Sequence, residues 1–510
     1  MQRHTLTSAI ALMTLSVPAF ADLTPRDVWE TYQSNMQSFG SEITATESEQ
    51  NGALTISDMS LSFVVPDENM TVEIIYPDLI LSDNGDGAVL LTMPETSEFS
   101  LRVHEGETPV IVAVIEQSAP DFSALISGAQ DDLTYTFDGG VITYRLTHAM
   151  INDLGEEIAL TPDMLSASIG IGPITGNVSI INKDGMWQNE QDVSYGNVTY
   201  DLAFQAPENR GQGMIKGSVN DLSIAATTTL PENLYTMDGA GMFKSGLMLD
   251  LALSYADSGA EFMVDEQGKQ VEGSYSDAGV SYELAFAPES LHFDARSKST
   301  NIEVQGPDLP MPMEFSVGEA GFGMTMPLGK AETPQKASLH FNLTDYSFPE
   351  LLWSMFDPMG NLPHEPATIA LAVDAEITPL VDLFNEAEMM AMQMEGNLPA
   401  LLHSVTLKEL LVSAVGGEIT GEGGFAFDNS DLESFDGMPR PEGAISFNIS
   451  GANGLLDSLV KMGLIPEDDV MGMRMMMAMF TVPGDEPDTM STKLEVNPEG
   501  HVLANGQRLK

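Results

Sequence analysis

Methionine is the residue whose chemistry stands out in this chain, because its thioether sulfur is soft and polarizable. The sequence contains 33 methionines and no cysteine, and the methionines are densest at 389–394 and 471–479. Such runs suit three roles: filling gaps in a core, binding Cu(I), or forming an adaptable apolar surface for acyl chains or a partner helix. The sequence leaves all three roles open.

Side chains that could serve an enzyme are present, but they form no recognisable catalytic motif. The sequence lacks a G-x-S-x-G elbow, an H-E-x-x-H helix, a P-loop and a complete G-x-G-x-x-G. No two of the histidines after residue 21 lie close together: His104, His148, His292, His340, His364, His403 and His501. We therefore predict no catalytic residue, no cofactor and no metal ligand. A hydrolase that assembles dispersed Asp, Glu and His by folding is the alternative.

Charge and cysteine usage exclude several classes of function. The chain has 76 acidic and 20 basic residues, a formal net charge of −56. Such a surface repels phosphate backbones and anionic membranes, so we expect no nucleic-acid partner. The absence of cysteine excludes disulfides, thiolate metal sites and a cysteine nucleophile. Stability must then come from a core, and 43% hydrophobic residues are enough to build one.

The first 21 residues have the pattern of a secretory signal peptide. Arg3 and His4 precede an apolar run at 10–17, and Ala19 and Ala21 form a small-x-small ending. We expect cleavage after Ala21 and a periplasmic protein. After that point the longest uncharged apolar run, at 109–115, is far shorter than a membrane-spanning helix. We therefore expect no transmembrane span in the mature chain.

The elements that must position these side chains are mostly strands. A helix is predicted to begin after Thr24 and to end by Gly40, since Val28, Tyr32 and Met36 recur at helical spacing. Period-two alternation then dominates for about three hundred residues. It predicts a mainly β fold, a large antiparallel meander that forms a curved sheet, a sandwich or an open barrel. Helical patterns return at 349–356, 380–394 and 454–480, the last with a break at Pro466.

We expect residues 22–510 to form a single large β-rich unit. The polar, proline-bearing stretch at 331–336 is the softest candidate for a boundary between two halves. Its composition alone does not separate two domains.

Three C-terminal segments carry a family resemblance. They are 353–369 (WSMFDP to LPHEPATI), 427–443 (FDNSDLESFDGMPRPEG) and 501–509 (HVLANGQRL). The chain resembles the alphaproteobacterial domain-of-unknown-function family 2125 in these segments and more loosely elsewhere. The resemblance implies an envelope location and a β-rich fold, and it supplies no catalytic residues.

These observations favour an exported, non-enzymatic protein whose sheet presents an apolar face to a lipid or to another envelope protein. Trp353, Phe356, Met471 and Met475 are the predicted lining residues of that ligand-binding groove. The alternatives are the dispersed-site hydrolase and a methionine-rich binder of copper or another cation.

Overall fold

The computed structural model describes residues 22–65, 70–106, 108–153, 156–207, 210–232, 237, 241, 244–395 and 398–509. The signal peptide predicted at residues 1–21 lies outside the described residues. Strands make up 63% of the structure and helices 12%, which confirms the mainly β prediction.

The described helices number five. They are α1 (Pro25–Ser38), α2 (Glu350–Phe356), α3 (Glu386–Glu395), α4 (Ala452–Lys461) and α5 (Glu467–Phe480).

The strands of the N-terminal half are β1 (Glu42–Gln50), β2 (Ala53–Val65), β3 (Met70–Ile75), β4 (Leu79–Gly85), β5 (Ala88–Thr92), β6 (Thr96–Glu105), β7 (Thr108–Ser118), β8 (Ser123–Ala129), β9 (Asp132–Asp138), β10 (Ile142–Asp153), β11 (Glu156–Leu160), β12 (Leu165–Gly172), β13 (Thr175–Lys183), β14 (Met186–Gln205) and β15 (Gln212–Pro231).

The strands of the C-terminal half are β16 (Met248–Tyr255), β17 (Asp257–Glu266), β18 (Lys269–Asp277), β19 (Val280–Ala287), β20 (Ser290–Gln305), β21 (Met313–Pro327), β22 (Gln335–Tyr346), β23 (Ala367–Pro379), β24 (Ala400–Ala414), β25 (Gly417–Asp428), β26 (Arg440–Ser450), β27 (Val482–Pro483), β28 (Thr489–Val496), β29 (Val502–Ala504) and β30 (Gln507–Arg508).

All of these strands belong to one antiparallel sheet, which is wide in its first part and narrower after β21. Long strands make the wide part, because each pairs with two shorter strands placed end to end. Strand β14 pairs with both β12 and β13, and β15 pairs with both β16 and β17. From β21 onward each strand to β26 pairs in sequence order. The soft boundary proposed at 331–336 connects β21 to β22, which are hydrogen-bonded neighbours in this sheet.

Helix α1 follows the sequence prediction closely. Thr24 accepts a hydrogen bond from the Asp27 amide, and the Asp27 carboxylate accepts one in return from the Thr24 amide. This capping box satisfies two amides that the first turn leaves without helical partners. Gly40, just after the helix, has φ +79°, a conformation that glycine adopts without a steric penalty.

The late helices differ from prediction in their bounds. The pattern at 380–394 predicts too early a start, because α3 begins at Glu386. Asn385 explains the difference, since its side-chain oxygen accepts a hydrogen bond from the Glu388 amide at 3.3 Å and so caps the helix there. The break predicted at Pro466 is present and separates α4 from α5.

Candidate functional site

The register of the strands shows on which side of the sheet each side chain lies. In an antiparallel pair, residues directly opposite one another point to the same side of the sheet. Following opposed residues from strand to strand therefore traces a line across one side. The tracing shows that one side of this sheet is apolar over most of its length.

The longest such line crosses sixteen strands, and we call it the long ladder. At about 4.8 Å per strand, its fifteen spacings correspond to a path of about 70 Å. Its members, in order, are Val89, Ile126, Tyr135, Val178, Gln191, Ala226, Leu251, Leu284, Phe293, Met324, Leu339, Val373, Leu407, Gly423, Ile445 and Leu494.

A second line, the short ladder, crosses eight strands of the wide part. Its members are Tyr144, Ile169, Tyr200, Gly217, Ala260, Tyr275, Ile302 and Phe315. Tyr144 of the short ladder packs in one hydrophobic cluster with Val178 of the long ladder. The two ladders therefore lie on the same side of the sheet, which we call the apolar face.

Moving one residue along each strand from the short ladder reaches the opposite side, where every member is polar or charged. This line consists of Arg145, Ser168, Asp201, Lys216, Glu261, Ser274, Glu303 and Glu314. Lys216 and Glu261 form an ion pair of 3.0 Å on it. The four acidic members of this line thus lie on the side turned away from the apolar face.

Helix α1 covers the beginning of the apolar face. Val28 and Trp29 of α1 pack on a cluster that includes Val89, Ile126 and Leu133, each of which is 0% exposed. Burial in this cluster raises the pKa of Tyr32 and of Tyr135 to about 12. This end of the face is a sealed core.

The middle of the apolar face is open to solvent. Large side chains there keep between a third and a half of their surface exposed, among them Ile169 (45%), Leu202 (41%), Phe204 (47%), Val264 (47%), Ile302 (37%), Phe322 (40%) and Leu339 (40%). Exposed apolar surface of this extent on a folded protein marks an interaction site.

Aromatic rings in the open stretch lie across glycines of the neighbouring strand. A Cβ added to Gly217 would collide with the ring of Tyr200, and one added to Gly273 would collide with the ring of Phe262. A Cβ added to Gly213 would likewise collide with the ring of Phe204. Each glycine leaves the space that lets the opposing ring rest on the sheet, a pairing known to stabilise sheets.

A buried carboxylate, that of Asp277, lies within the wide part of the apolar face. Asp277 is 6% exposed, and its oxygens accept hydrogen bonds from Ser258, from Tyr255 at 3.3 Å and from the Gly279 amide at 2.8 Å. Burial, followed by hydrogen bonding to Asp277, raises the pKa of Tyr275. Asp277 of β18 thereby links Tyr255 at the end of β16 to Ser258 near the start of β17.

A cavity of about 620 Å³ lies between α2 and the nearby ends of β22, β23 and β24. Its wall includes Trp353 and Phe356 of α2 together with Tyr346, Ala367 and Ala414. Ala367 and Val373 of the long ladder are six residues apart in β23, so both point to the apolar face. Tyr346 is directly opposite Ala367 and therefore points to the same face. The cavity is therefore at the strand ends of the apolar face.

Trp353 is held in place by its neighbours. Its indole stacks on the His364 ring at 4.2 Å and meets Phe348 edge-on at 5.7 Å. It is 8% exposed, whereas Phe356 is 55% exposed. The structure thus brings two of the four predicted lining residues to one cavity.

Met471 and Met475 lie elsewhere, on the outward side of α5, where they are 65% and 70% exposed. Neither is among the residues described as lining the Trp353 cavity. Sequence reasoning also missed Tyr346, Ala367 and Ala414. Alternation relates Ala367 to Val373 of the long ladder, but Tyr346 and Ala414 are each seven residues from their ladder residue, and the bulges that bring them to this side leave no signal in the sequence.

The histidine contacts bear on the hydrolase alternative. His340 Nε2 lies 3.0 Å from Asp294, which is also paired with Arg296 at 2.9 Å. His292 Nδ1 lies 2.9 Å from the Thr325 hydroxyl, but its other nitrogen is 3.9 Å from Glu283, too far for a hydrogen bond. These two histidines and their partners lie on the polar side of the sheet. In the part of the chain that the structure describes, neither imidazole is within hydrogen-bond distance of both a carboxylate and a hydroxyl.

Within the described residues, no group of three or more His, Asp or Glu is arranged to hold a metal ion. None of the described helices has the length and apolar character needed to cross a bilayer. Comparison of the chain with protein-family models, curated proteins and solved structures finds no match. The resemblance to family 2125 stays a prediction, and the function is argued from the geometry of the apolar face.

Proposed function

We propose that this is an exported, non-enzymatic envelope protein that binds the acyl chains of lipids along its apolar face. The observation that carries the proposal is the long ladder, which starts in a sealed core and continues across strands whose large side chains are partly exposed. An open surface of this kind gains free energy when apolar groups cover it, at about 25 cal/mol per Å².

The chemistry of the face favours acyl chains over a protein partner. Protein interfaces carry about one hydrogen bond per 100–200 Å² and need polar groups to fix their register. The ladder from Leu251 to Leu494 offers only aliphatic and aromatic side chains, methionine and glycine. Acyl chains lack hydrogen-bonding groups and match such a lining.

The length of the face indicates more than one chain. An acyl chain spans about 15 Å, half the thickness of a bilayer core. Beyond the sealed end, the ten members of the long ladder from Leu251 to Leu494 follow a path of about 43 Å at 4.8 Å per strand. We therefore expect several acyl chains per protein molecule, with their polar ends toward solvent.

The test is binding of cis-parinaric acid to the full-length purified protein, with stoichiometry read from fluorescence. Leu202→Asp and Ile302→Asp place a charge on the open stretch and should each weaken probe binding about tenfold or more. Ala203→Asp, on the opposite side one residue from Leu202, is the matched control and should bind as the unmodified protein does.

Far-UV circular dichroism should show that all three variants fold. No probe binding by the unmodified protein, or equal losses in Leu202→Asp and Ala203→Asp, would overturn the proposal. Mass spectrometry of the protein purified without detergent should also find lipid.

A further inference from the structure

The strand ends beside the Trp353 cavity carry a second exposed apolar surface. Helix α2 connects β22 to β23, and α4 and α5 connect β26 to β28. These strands are antiparallel, so both connections lie at the same end of the sheet. Strands β23 and β26 are three positions apart, about 14 Å.

The turn between β24 and β25 lies beside both the segment that follows α2 and helix α4. A Cβ added to Gly416 would lie 3.0 Å from Pro363, which follows α2, and one added to Gly417 would lie 3.6 Å from Leu455 of α4. The segment after α2 and helix α4 therefore flank the same turn.

Helix α5 is apolar on nearly all sides but contacts the body through one narrow stripe. Val470, Arg474 and Met477 form that stripe, at helical spacing. Its outward side carries Met471, Met475 and Met479 at 65%, 70% and 65% exposure, beside Met476 at 56%. An outward face of this kind is typical of a helix whose partner is absent.

The charges of α5 lie in its first turn and at Arg474. The Arg474 guanidinium turns inward, where it donates hydrogen bonds to Asn453 and to Asp457 at 2.7 Å. The acidic residues Glu467, Asp468 and Asp469 are confined to the first turn, where Asp468 lies on the same side of the helix as Met471 and Met475. From residue 470 to 480 the exposed side of α5 is therefore uncharged.

Exposed apolar residues of α2, of the segment after it and of the α4–α5 link lie at the same end of the sheet as α5. Together they form what we call the methionine-rich surface: Met355 (74% exposed), Phe356, Met359 (83%), Leu464, Met471, Met475, Met476 and Met479. Phe356 belongs both to this surface and to the wall of the Trp353 cavity.

We propose that the methionine-rich surface inserts into the interfacial region of a zwitterionic lipid bilayer. The inference rests on the proposed acyl-chain function, because a protein that takes up lipid must meet a membrane beside its cavity. Uncharged methionine and phenylalanine suit shallow insertion among headgroups and chains. The carboxylates of the first turn favour the ammonium groups of zwitterionic lipids and oppose an anionic surface.

A protein partner is the competing occupant, and the charge pattern disfavours it. A partner helix would be oriented by hydrogen bonds and ion pairs at the rim. Here the one cation of α5 is already engaged by Asn453 and Asp457. Flexible methionines without polar neighbours conform to the irregular surface of a bilayer.

The experiment is co-sedimentation of the full-length protein with sucrose-loaded phosphatidylcholine vesicles. The unmodified protein should sediment with them, and replacing part of the phosphatidylcholine by phosphatidylglycerol should weaken binding. The double variant Met471→Glu/Met475→Glu should lose about tenfold or more in vesicle partitioning.

A matched control uses the methionines of α3, which lie at the other end of the strands. Met390 and Met394 are 63% and 83% exposed, so Met390→Glu/Met394→Glu makes the same chemical change in a similar setting. It should leave vesicle binding unchanged. Circular dichroism checks that both double variants fold.

Binding of cis-parinaric acid separates the two proposals. The Met471→Glu/Met475→Glu variant should retain probe binding while it loses vesicle binding. Probe binding without vesicle association of the unmodified protein would overturn the docking proposal alone, as would stronger binding to phosphatidylglycerol or equal losses in both double variants. If the unmodified protein did not bind cis-parinaric acid, the proposed acyl-chain function would be overturned instead.

Discussion

The covered and the open stretches of the apolar face contain the same kinds of side chain in different surroundings. Val89 and Ile126 in the covered stretch are 0% exposed, whereas Leu339 and Phe322 in the open stretch are each 40% exposed. Both belong to strands with the same alternation. The difference is the presence of α1, which seals one end of the face as a core.

This comparison shows that one alternating pattern serves two purposes. Where a helix supplies the second layer, the pattern builds stability. Where none of the described helices lies over the strands, the same pattern leaves a surface for a ligand. The aromatic rings of the open stretch are supported from within the sheet, by glycines such as Gly217 and Gly273.

The largest expected difference between the stretches is in the cost of removing an aromatic side chain. Trp29→Ala removes a side chain that is 2% exposed and that donates a hydrogen bond to Glu47. It should cost about 3–5 kcal/mol. Phe204→Ala, at 47% exposure in the open stretch, should cost about 1–2 kcal/mol, since less surface is buried there.

Urea midpoints followed by far-UV circular dichroism measure both variants. Equal shifts would contradict the comparison, because they would mean that the open stretch is as well packed as the covered one.

The sequence predicted the parts of the fold that depend on local interactions. The capping residue Thr24 placed α1 correctly, and Pro466 marked the break between α4 and α5. The long ladder could not be predicted, because it depends on the register of strands far apart in the chain. A one-residue slip in any pair would reverse the sides of the sheet.

The candidate site shows the same limit. Methionine density and helical pattern singled out the segments that contain Trp353, Phe356, Met471 and Met475, but neither feature says which side of a helix packs on the body. The inward turn of Arg474 toward Asn453 decides the orientation of α5, and this contact joins residues 21 positions apart. Local patterns therefore found the helices but did not separate the cavity wall from the outer surface.

The second expected effect is the loss of stability when a glycine beneath an aromatic ring of the open stretch is replaced by alanine. A Cβ on Gly217 would collide with the backbone oxygen of Gly259 and with the ring of Tyr200. Gly217→Ala should therefore cost about 1–3 kcal/mol. The matched control is Gly259→Ala, whose added Cβ finds its nearest atom, the Tyr275 oxygen, at 3.6 Å.

We expect the Gly259→Ala midpoint in urea to stay close to that of the unmodified protein. If the two alanine variants behaved alike, the stacked ring of Tyr200 would not be a structural element of the face.

The smallest expected effect concerns the way α1 is fixed to the sheet. Glu47 of β1 accepts hydrogen bonds from Trp29 Nε1 at 2.7 Å and from Arg26 at 2.9 Å. The Trp29 bond, with the Arg26 bond next, lowers the pKa of Glu47 below its ordinary value of 4.5. Because the folded state favours the carboxylate, the stabilisation is present above pH 4.5 and is lost as the pH falls through the lowered value.

Glu47→Gln should lower stability by about 1 kcal/mol at neutral pH, a modest amount because the site is partly exposed to water. It should also remove the part of the acid sensitivity that comes from this group, so the two proteins should converge in stability as the pH falls through the lowered pKa of Glu47. Glu49→Gln is the control, since Glu49 is 65% exposed and lies 3.6 Å from Arg26. Urea midpoints measured from neutral to acidic pH test this, and parallel curves for Glu47→Gln and the unmodified protein would mean that α1 is held by apolar packing alone.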